Sequence, residues 1–303
     1  MTRVLTLPAI VLFALALTCV AQTSPRPIRV AVLDFGNGPI GRRVADRLAN
    51  ATASNSRALI HRDGGFQAID RDWVRAAALG AGYRGSLNLT LQEARDLGSA
   101  IGCDFFFTGE AGTELRTPAD GPPYSESHAA IYLVSARTGR LALWERPSVQ
   151  RPTPEEAEGL LLQELAAEDA FLRYRTQIQR ALEDEQAERT SAIEKSVPVI
   201  EALSDDQGNA GNGVQAPRPY RRLKPPYPES AAHAEIEATV DVLVDIDAKG
   251  EVVRVEVARW AGYGLDQSVV ETVRQLHFFP AHREGNAIPI RVLLRYNFRK
   301  PPK

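Results

Sequence analysis

Apolar and polar residues alternate along most of the last third of the chain. Every second residue is apolar across residues 237–247, and the alternation resumes across residues 251–260 after the short turn at 248–250. A period of two residues is typical of strands that bury one face. The two runs therefore predict a β-hairpin whose turn contains Gly250.

A helix and a further strand follow the hairpin. Leu265, Val269, Val273 and Leu276 recur at helical spacing, so they predict a helix with one apolar face. Residues 288–298 alternate again and predict a last strand. Together these elements predict a small antiparallel sheet backed by a helix, over residues 220–303.

The first half of the chain follows a different order, in which strands alternate with helices. Residues 28–35 and 66–70 predict buried strands, and Thr90 with Glu93 predicts a capped helix start. Residues 137–140 predict a turn between two strands, so we expect a mixed sheet. The elements predicted here are helices at 39–48, 71–79 and 91–101 and further strands at 105–115, 129–136 and 141–145.

A helical and acidic connector separates the two parts. Between Glu155 and Lys195 the sequence contains no proline and one glycine, which predicts one long helix or two. The chain after Leu182 is polar on all sides, so we expect that end to project into solvent; a coiled-coil dimer is an alternative for this region. The apolar stripe predicted to pack on the first domain comprises Leu161, Leu165, Leu172, Ile178 and Leu182.

These patterns predict an α+β protein with an N-terminal α/β mixed-sheet domain, a long helical connector and a C-terminal small antiparallel sheet backed by a helix. The predicted ranges are 28–150 for the first domain, 151–203 for the connector, 204–219 for a flexible linker rich in Gly and Pro, and 220–303 for the last module. A length of 303 residues agrees with two modest cores.

Charge is distributed unevenly along the chain. The formal net charge is −2, but residues 151–215 carry −8 while the segments before and after them each carry +3. Neither end is basic enough to indicate a nucleic-acid-binding protein, so we expect no nucleic-acid partner.

The N-terminus indicates export. A basic start, an apolar run from Val4 to Val20 and small residues before Gln22 predict a signal peptide over residues 1–21 and a periplasmic protein. An uncleaved inner-membrane anchor is an alternative, and a lipoprotein acylated at Cys19 is disfavoured by Thr18.

Residues that could carry catalysis do not form a recognisable set. The five histidines lack zinc-site spacing, and Cys103 lies in an apolar run typical of a buried thiol. The stretch Gly36-Asn-Gly-Pro-Ile-Gly41 matches a dinucleotide-binding spacing, but the acidic residue expected about 20 positions later is missing. We therefore expect no enzyme activity, no cofactor and no metal, and an enzyme or nucleotide-binding protein remains the weakest alternative.

The last module resembles the TonB C-terminal domain family. The residues that carry the resemblance are Pro225-Pro-Tyr-Pro-Glu-Ser-Ala231, Asp247-Ala-Lys-Gly-Glu-Val-Val253, Gly262-Tyr-Gly-Leu-Asp266, Phe278-Phe-Pro-Ala281 and Pro289-Ile-Arg-Val-Leu-Leu-Arg295. One departure is Arg259-Trp-Ala261, which replaces the serine-rich turn common in that family.

The TonB resemblance implies a protein that binds a peptide of an outer-membrane receptor, or of another periplasmic protein, by strand addition. A small sheet leaves backbone N–H and C=O groups unpaired at its edge, and an extended peptide can pair with them. We expect the edge at 288–298, with the apolar side chains in the core and Arg291 and Arg295 facing the partner. The candidate partner-binding residues are Tyr227, Pro228, Ile288, Ile290, Arg291, Val292, Leu294, Arg295, Tyr296 and Phe298.

Two further expectations follow from resemblance. Residues 28–150 resemble the periplasmic α/β domain of the curli-secretion lipoprotein CsgG and the N-terminal domain of TolB, which implies an envelope interaction domain without catalysis. The alternative to an adaptor is a membrane-anchored TonB energy transducer coupled to inner-membrane motor proteins. The family's membrane histidine and its Pro/Lys/Glu-rich spacer are both missing from this sequence, which weakens that alternative.

Overall fold

The computed structural model describes residues 26–58, 65–191, 199–200 and 214–300, and the predicted signal or anchor at 1–21 lies outside them. The described residues form the expected α+β fold, with seven helices and several sheets. Among these residues, no helix combines the length and the apolar character needed to cross a bilayer.

The first domain is a mixed sheet with helices against it, as predicted. The strand order is β2-β1-β3-β4-β5, with β6 also paired to β4; β1 runs parallel to β2 and β3, and the other pairs are antiparallel. Its elements are β1 (Ile28–Phe35), α1 (Pro39–Ala58), β2 (Phe66–Ala68), α2 (Arg71–Gly80), α3 (Leu91–Ile101), β3 (Phe105–Arg116), β4 (Tyr124–Ser135), β5 (Leu141–Glu145) and β6 (Ser148–Arg151).

Most of these elements lie where the sequence pattern predicts them. The predicted and observed boundaries differ where a strand pairs with a distant part of the chain. Thr90 and Glu93 form the predicted capping box at the start of α3. Strand β4 begins at Tyr124, well before the predicted start, because polar residues there pair along the full length of β3. Strand β6 was not predicted, and its pairing with β4 is likewise non-local.

The connector consists of two helices, α4 (Pro154–Leu165) and α5 (Glu168–Ser191). Leu161, Leu165 and Ile178 are buried in the core on one side of the first sheet, and Leu182 is partly buried there. Leu172 does not join this stripe, because the interruption at Ala166 and Ala167 turns it outward and leaves it 45% exposed.

The polar end of α5 does not project into solvent, contrary to the prediction. Glu185 is buried, where the Ser135 hydroxyl donates to its Oε1 at 2.5 Å and Arg137 forms an ion pair with it. Further along the helix, Glu188 accepts from Arg140 Nη1 at 2.6 Å. The periodicity of apolar residues could not predict this contact between α5 and the first domain, because the helix makes it through carboxylates.

The C-terminal module is built on a sheet of order β11-β10-β15-β7, in which only the β15–β7 pair is parallel. The face of this sheet covered by α7 forms the core of the module. Its elements are β7 (Val199–Ile200), β8 (Val214–Gln215), β9 (Arg218–Pro219), α6 (Glu229–His233), β10 (Ala238–Ile246), β11 (Val252–Arg259), α7 (Leu265–Val273), β12 (Phe278–Phe279), β13 (Ala281–Arg283), β14 (Asn286–Ile288) and β15 (Ile290–Phe298).

Two predicted boundaries of the module need correction. The flexible linker predicted at 204–219 contains β8 and β9, which pair with β13 and β12; residues 204–213 lie outside the described ones. The strand predicted at 288–298 is divided into β14 and β15 at Pro289, which has no N–H to donate to a ladder. The four core residues predicted for α7 and its end, Leu265, Val269, Val273 and Leu276, are all buried.

Candidate functional site

Strand β15 has one fully paired edge and one largely open edge. On the inner side, all nine residues from Ile290 to Phe298 align with β10. On the outer side, the described residues provide a partner only at Arg291 and Val292, which align with Val199 and Ile200 of β7. Most of the outer edge therefore has no neighbouring strand among the described residues.

The side chains of β15 serve the module itself. Ile290, Val292 and Phe298 are buried, and Leu294 and Tyr296 are partly buried against the same core. Ile288 lies in β14, opposite Ala281. The apolar side chains of β15 are consequently engaged in packing within the module.

Arg291 and Arg295 are engaged by carboxylates of β10. Arg291 donates to Asp245 through Nε at 2.5 Å and Nη2 at 2.7 Å, and Arg295 donates to Asp241 at 2.7 and 3.0 Å. The hydrogen bonds and charge of Asp245 raise the pKa of Arg291, although burial opposes this effect. These side chains were expected to face a partner, whereas the structure places them in ion pairs across the sheet surface.

Tyr227 lies beside the end of β15, and Pro228 lies near Gly264. The Tyr227 hydroxyl donates to the carbonyl of Ile236 at 2.6 Å, and its ring lies 6.1 Å from the Phe298 ring. Pro228 precedes α6 as its N-cap residue. The predicted site residues therefore come together around one strand, mainly as structural side chains.

The opposite edge of the sheet is covered by the first domain. Arg259, at the end of β11, forms an isolated β-bridge with Thr90 and donates to the carbonyl of Asn88 at 2.8 Å. Near the middle of β11, Arg140 donates to Glu256 through Nε at 3.0 Å. Among the described residues, β11 thus contacts the first domain, while the outer side of β15 pairs with β7 at two residues.

The turn after β11 inserts an aromatic anchor into the first domain. Trp260 is 1% exposed, its indole N–H donates to the Gly139 carbonyl at 3.1 Å, and its ring centroid lies 5.3 Å from that of Tyr132. The Tyr132 hydroxyl in turn donates to the Ala261 carbonyl at 2.9 Å. The module and the first domain thus share one continuous core at this point.

Polar contacts surround this anchor. The Asn88 amide donates to the carbonyls of Thr239 and Trp260 at 2.8 and 2.6 Å and accepts from the Thr239 N–H at 3.1 Å. The Tyr263 hydroxyl donates to Glu110 at 2.7 Å, which together with burial raises the pKa of Tyr263. The sequence pattern did not predict this interface; the one available indication was the tryptophan that follows the second strand of the hairpin, Trp260.

Residues 224–299 match the sequence model of the Gram-negative bacterial TonB protein C-terminal. The matched range covers α6 to β15 and leaves out the first domain and the connector. The module is therefore similar to a TonB C-terminal domain.

Solved structures that match part of the chain include a TonB C-terminal domain. The solution structure of the Pseudomonas aeruginosa TonB C-terminal domain is 22% identical, with 33% of this chain and 94% of that chain covered and a TM-score of 0.26. A lipoprotein from Neisseria meningitidis is 18% identical over 48% of this chain and 99% of its own, with a TM-score of 0.30. A hypothetical protein from Chlamydia trachomatis is 11% identical over 51% and 95%, with a TM-score of 0.32.

No curated protein matches the chain. The resemblance of residues 28–150 to the CsgG and TolB domains is unconfirmed and stays a prediction.

The departure of this chain from the TonB pattern coincides with the domain contact. Arg259, Trp260 and Ala261 stand where the family commonly has a serine-rich turn, and each of them contacts the first domain. Asp266 supports the same turn by accepting from the N–H groups of Ala261 and Gly262 at 2.8 Å, and burial raises its pKa to about 6 despite these bonds. The unusual turn is therefore a docking element.

The other residues considered for chemistry have structural environments. Burial raises the pKa of the Cys103 thiol to about 12, so this thiol is protonated at neutral pH. Within the described parts of the chain, no group of three or more His, Cys, Asp or Glu side chains could hold a metal ion.

Proposed function

We propose that this protein is a periplasmic adaptor whose TonB C-terminal domain binds an extended peptide of an outer-membrane receptor, or of another periplasmic protein, in transport across the envelope. The observation that carries the proposal is the outer edge of β15, which is paired with β7 at only two of its nine residues in the described chain. An extended peptide can satisfy these N–H and C=O groups by adding a strand.

The surface around the edge suits recognition through the backbone. Arg291 pairs with Asp245, and Arg295 shares Asp241 with Arg259, so much of the positive charge on β15 is compensated within the sheet. Affinity would then come from backbone hydrogen bonds and from apolar contacts, with modest dependence on salt.

We expect peptides from the periplasmic N-termini of outer-membrane receptors of the same bacterium to bind β15. In a titration of the ¹⁵N-labelled chain followed by NMR, the amide shifts should concentrate in residues 290–298. A peptide of the same sequence with N-methyl groups on alternate amides cannot donate to the ladder, so its binding should weaken at least tenfold.

The N-methylated peptide is the matched control, because it keeps every side chain of the ligand. Equal binding of the two peptides, or shifts confined to the first domain, would show that strand addition at β15 is not the binding mode.

Docking of the module favours an adaptor over an energy transducer. A transducer has to span the periplasm, while Trp260 holds this module against the first domain. We expect the protein isolated from envelopes to be soluble in the periplasm. Its intact mass should be that of a chain whose first residue is Gln22. A full-length species in the inner membrane would instead support the transducer coupled to motor proteins.

A further inference from the structure

Two exposed aromatic rings stack on each other at the surface of the module. Phe279 is 55% exposed and Tyr220 is 59% exposed, and their ring centroids lie 4.4 Å apart. Single exposed apolar side chains are common in soluble proteins, whereas adjoining ones rimmed by polar groups mark an interaction surface. The pair is therefore a candidate contact with another molecule.

The pairing of β9 with β12 directs both rings to one side. Phe279 lies opposite Arg218 in this antiparallel pair, and residues directly opposite each other project to the same face. Tyr220 comes two residues after Arg218, and its N–H donates to the His277 carbonyl at 2.8 Å. The intervening residue Phe278 is buried in the core of the module. The two rings and Arg218 thus share the exposed face of this short ladder.

Positive charge surrounds the rings. The chain from Gln207 to Pro228 contains four Lys or Arg residues and no Asp or Glu. Arg218, Arg221 and Lys224 are exposed, and no carboxylate of the described residues pairs with any of them. The arginines of β15, by contrast, form ion pairs within the sheet. We name this surface the basic aromatic patch, which consists of Arg218, Tyr220, Arg221, Lys224 and Phe279.

This combination of side chains suits the interface of an anionic membrane. Aromatic rings are stable at the level of the lipid headgroups, and each basic side chain near an anionic surface strengthens binding about fivefold. The three cations lie within seven residues, and no side-chain hydrogen bond among the described residues fixes their direction. Lipid headgroups can rearrange around such side chains, whereas a folded acidic protein would have to present its carboxylates at fixed positions.

We propose that the basic aromatic patch docks the module on a membrane surface that carries anionic phospholipid headgroups. Phe279 and Tyr220 enter the headgroup region, and the three cations contact the lipid phosphates. The contact is peripheral and reversible, because its apolar part consists of two side chains. It does not depend on strand addition at β15, so the two proposals are tested separately.

Sedimentation with vesicles tests the membrane contact. The protein is the chain from Gln22 onward, which keeps every described residue and omits the apolar N-terminal run. Vesicles of phosphatidylcholine with about one third phosphatidylglycerol should bind it at least about tenfold more strongly than phosphatidylcholine alone, and added salt should weaken this binding. The triple variant Arg218→Gln/Arg221→Gln/Lys224→Gln should bind the anionic vesicles at least about tenfold more weakly than the unmodified chain.

The matched control is Arg42→Gln/Arg47→Gln/Arg84→Gln. It removes the same charge from exposed cations of the first domain, so its binding should stay within about twofold of that of the unmodified chain. Equal losses in the two triple variants would show that vesicle binding follows net charge alone, which would overturn the role of the patch.

A fluorescent label reports which surface meets the lipid. Cys103→Ala removes the one thiol of the chain from Gln22 onward, and Phe279→Cys then carries a nitrobenzoxadiazole dye that brightens when it leaves water. We expect brightening with anionic vesicles at this position. The same dye at Leu115→Cys, a 72% exposed position of the first domain, should not respond. Equal brightening at both positions, or none at residue 279, would contradict the proposal.

An acidic protein partner is the competing outcome. If an oligoglutamate peptide binds the unmodified chain and not the patch variant, and neither protein binds anionic vesicles, the patch recognises acidic protein segments and the membrane proposal fails. Loss of vesicle binding in the patch variant, with normal binding in the control, supports it. Receptor peptides should bind β15 equally in both triple variants, so failure of the membrane contact leaves the proposed function intact.

Discussion

Replacement of Trp260 by alanine is expected to lower the free energy of unfolding by about 3–5 kcal/mol, the range for removing a large buried aromatic side chain. The indole is buried between the domains, packs on Tyr132 and donates to the Gly139 carbonyl. The variant should lose both the packing and that hydrogen bond. Chemical denaturation of the full chain, followed by circular dichroism, measures the loss.

Val253→Ala is the matched control for Trp260→Ala. Val253 lies on the same strand, β11, but is 68% exposed, so its truncation should change stability by less than about 0.5 kcal/mol. Limited proteolysis adds a readout specific for docking, because separated domains should be cut in the connector much faster. Equal stability and equal proteolysis of the two variants would contradict an anchoring role for Trp260.

Docking of the module limits how the proposed binding edge could act. Contacts of β11 with Thr90 and Arg140 face the first domain, whereas β15 lies on the other side of β10. A partner strand added to β15 would thus be joined, through one sheet, to the core that includes Trp260. Pulling or capture at β15 is then resisted by the whole molecule rather than by a module on a free linker.

The sequence predicted those elements whose pattern is local. The strands at 28–35 and 238–246, the cap at Thr90 and the apolar face of α7 all follow from residue spacing within one element. When one face of a helix or strand is buried, apolar residues recur along the sequence with the period of that element. This period does not depend on which other element covers the face. For this reason the α+β class and the order of both domains could be predicted.

The missed features depend on contacts between distant parts of the chain. Glu185 is buried because Ser135, Arg137 and Thr138 supply hydrogen bonds to it, and a polar residue of this kind has no periodic signature. The two residues of β7 are too short for any period to emerge. The candidate site on β15 was predicted by resemblance and stays a prediction, and the contacts of its arginines depend on Asp241 and Asp245 of a neighbouring strand.

The second large effect on stability is expected at Glu126, a buried carboxylate between the first domain and the module. Glu126 is 2% exposed and accepts from Arg116 Nε at 3.0 Å and Arg146 Nη1 at 3.5 Å, with His233 of the module at 3.3 Å. Burial alone would raise the pKa of Glu126, but the hydrogen bonds from Arg116 and His233 and the charge of Arg146 hold it below the ordinary value of 4.5.

We expect Glu126→Gln to cost about 3–5 kcal/mol at neutral pH, because it leaves the largely buried Arg146 without its carboxylate. A carboxyl group whose pKa is lowered by folding stabilises the fold above its ordinary pKa, and this contribution disappears as the pH falls through the folded value. The stability difference between the unmodified chain and the variant should therefore shrink as the pH falls below 4.5. Denaturation curves between pH 3 and pH 7 measure this difference.

Glu114→Gln is the control for this charge network. Glu114 pairs with the same Arg116 at 2.8 Å, but its side chain is 50% exposed, so the loss should stay below about 1 kcal/mol. Protonation of His128, whose pKa is lowered first by burial and then by Arg146, also reduces stability at low pH. The charge of Glu126 also raises the pKa of His128, so the difference between the two curves is compared below pH 4.5, where Glu126 itself titrates. A difference that stays constant down to pH 3 would show that the charge of Glu126 does not stabilise the interface.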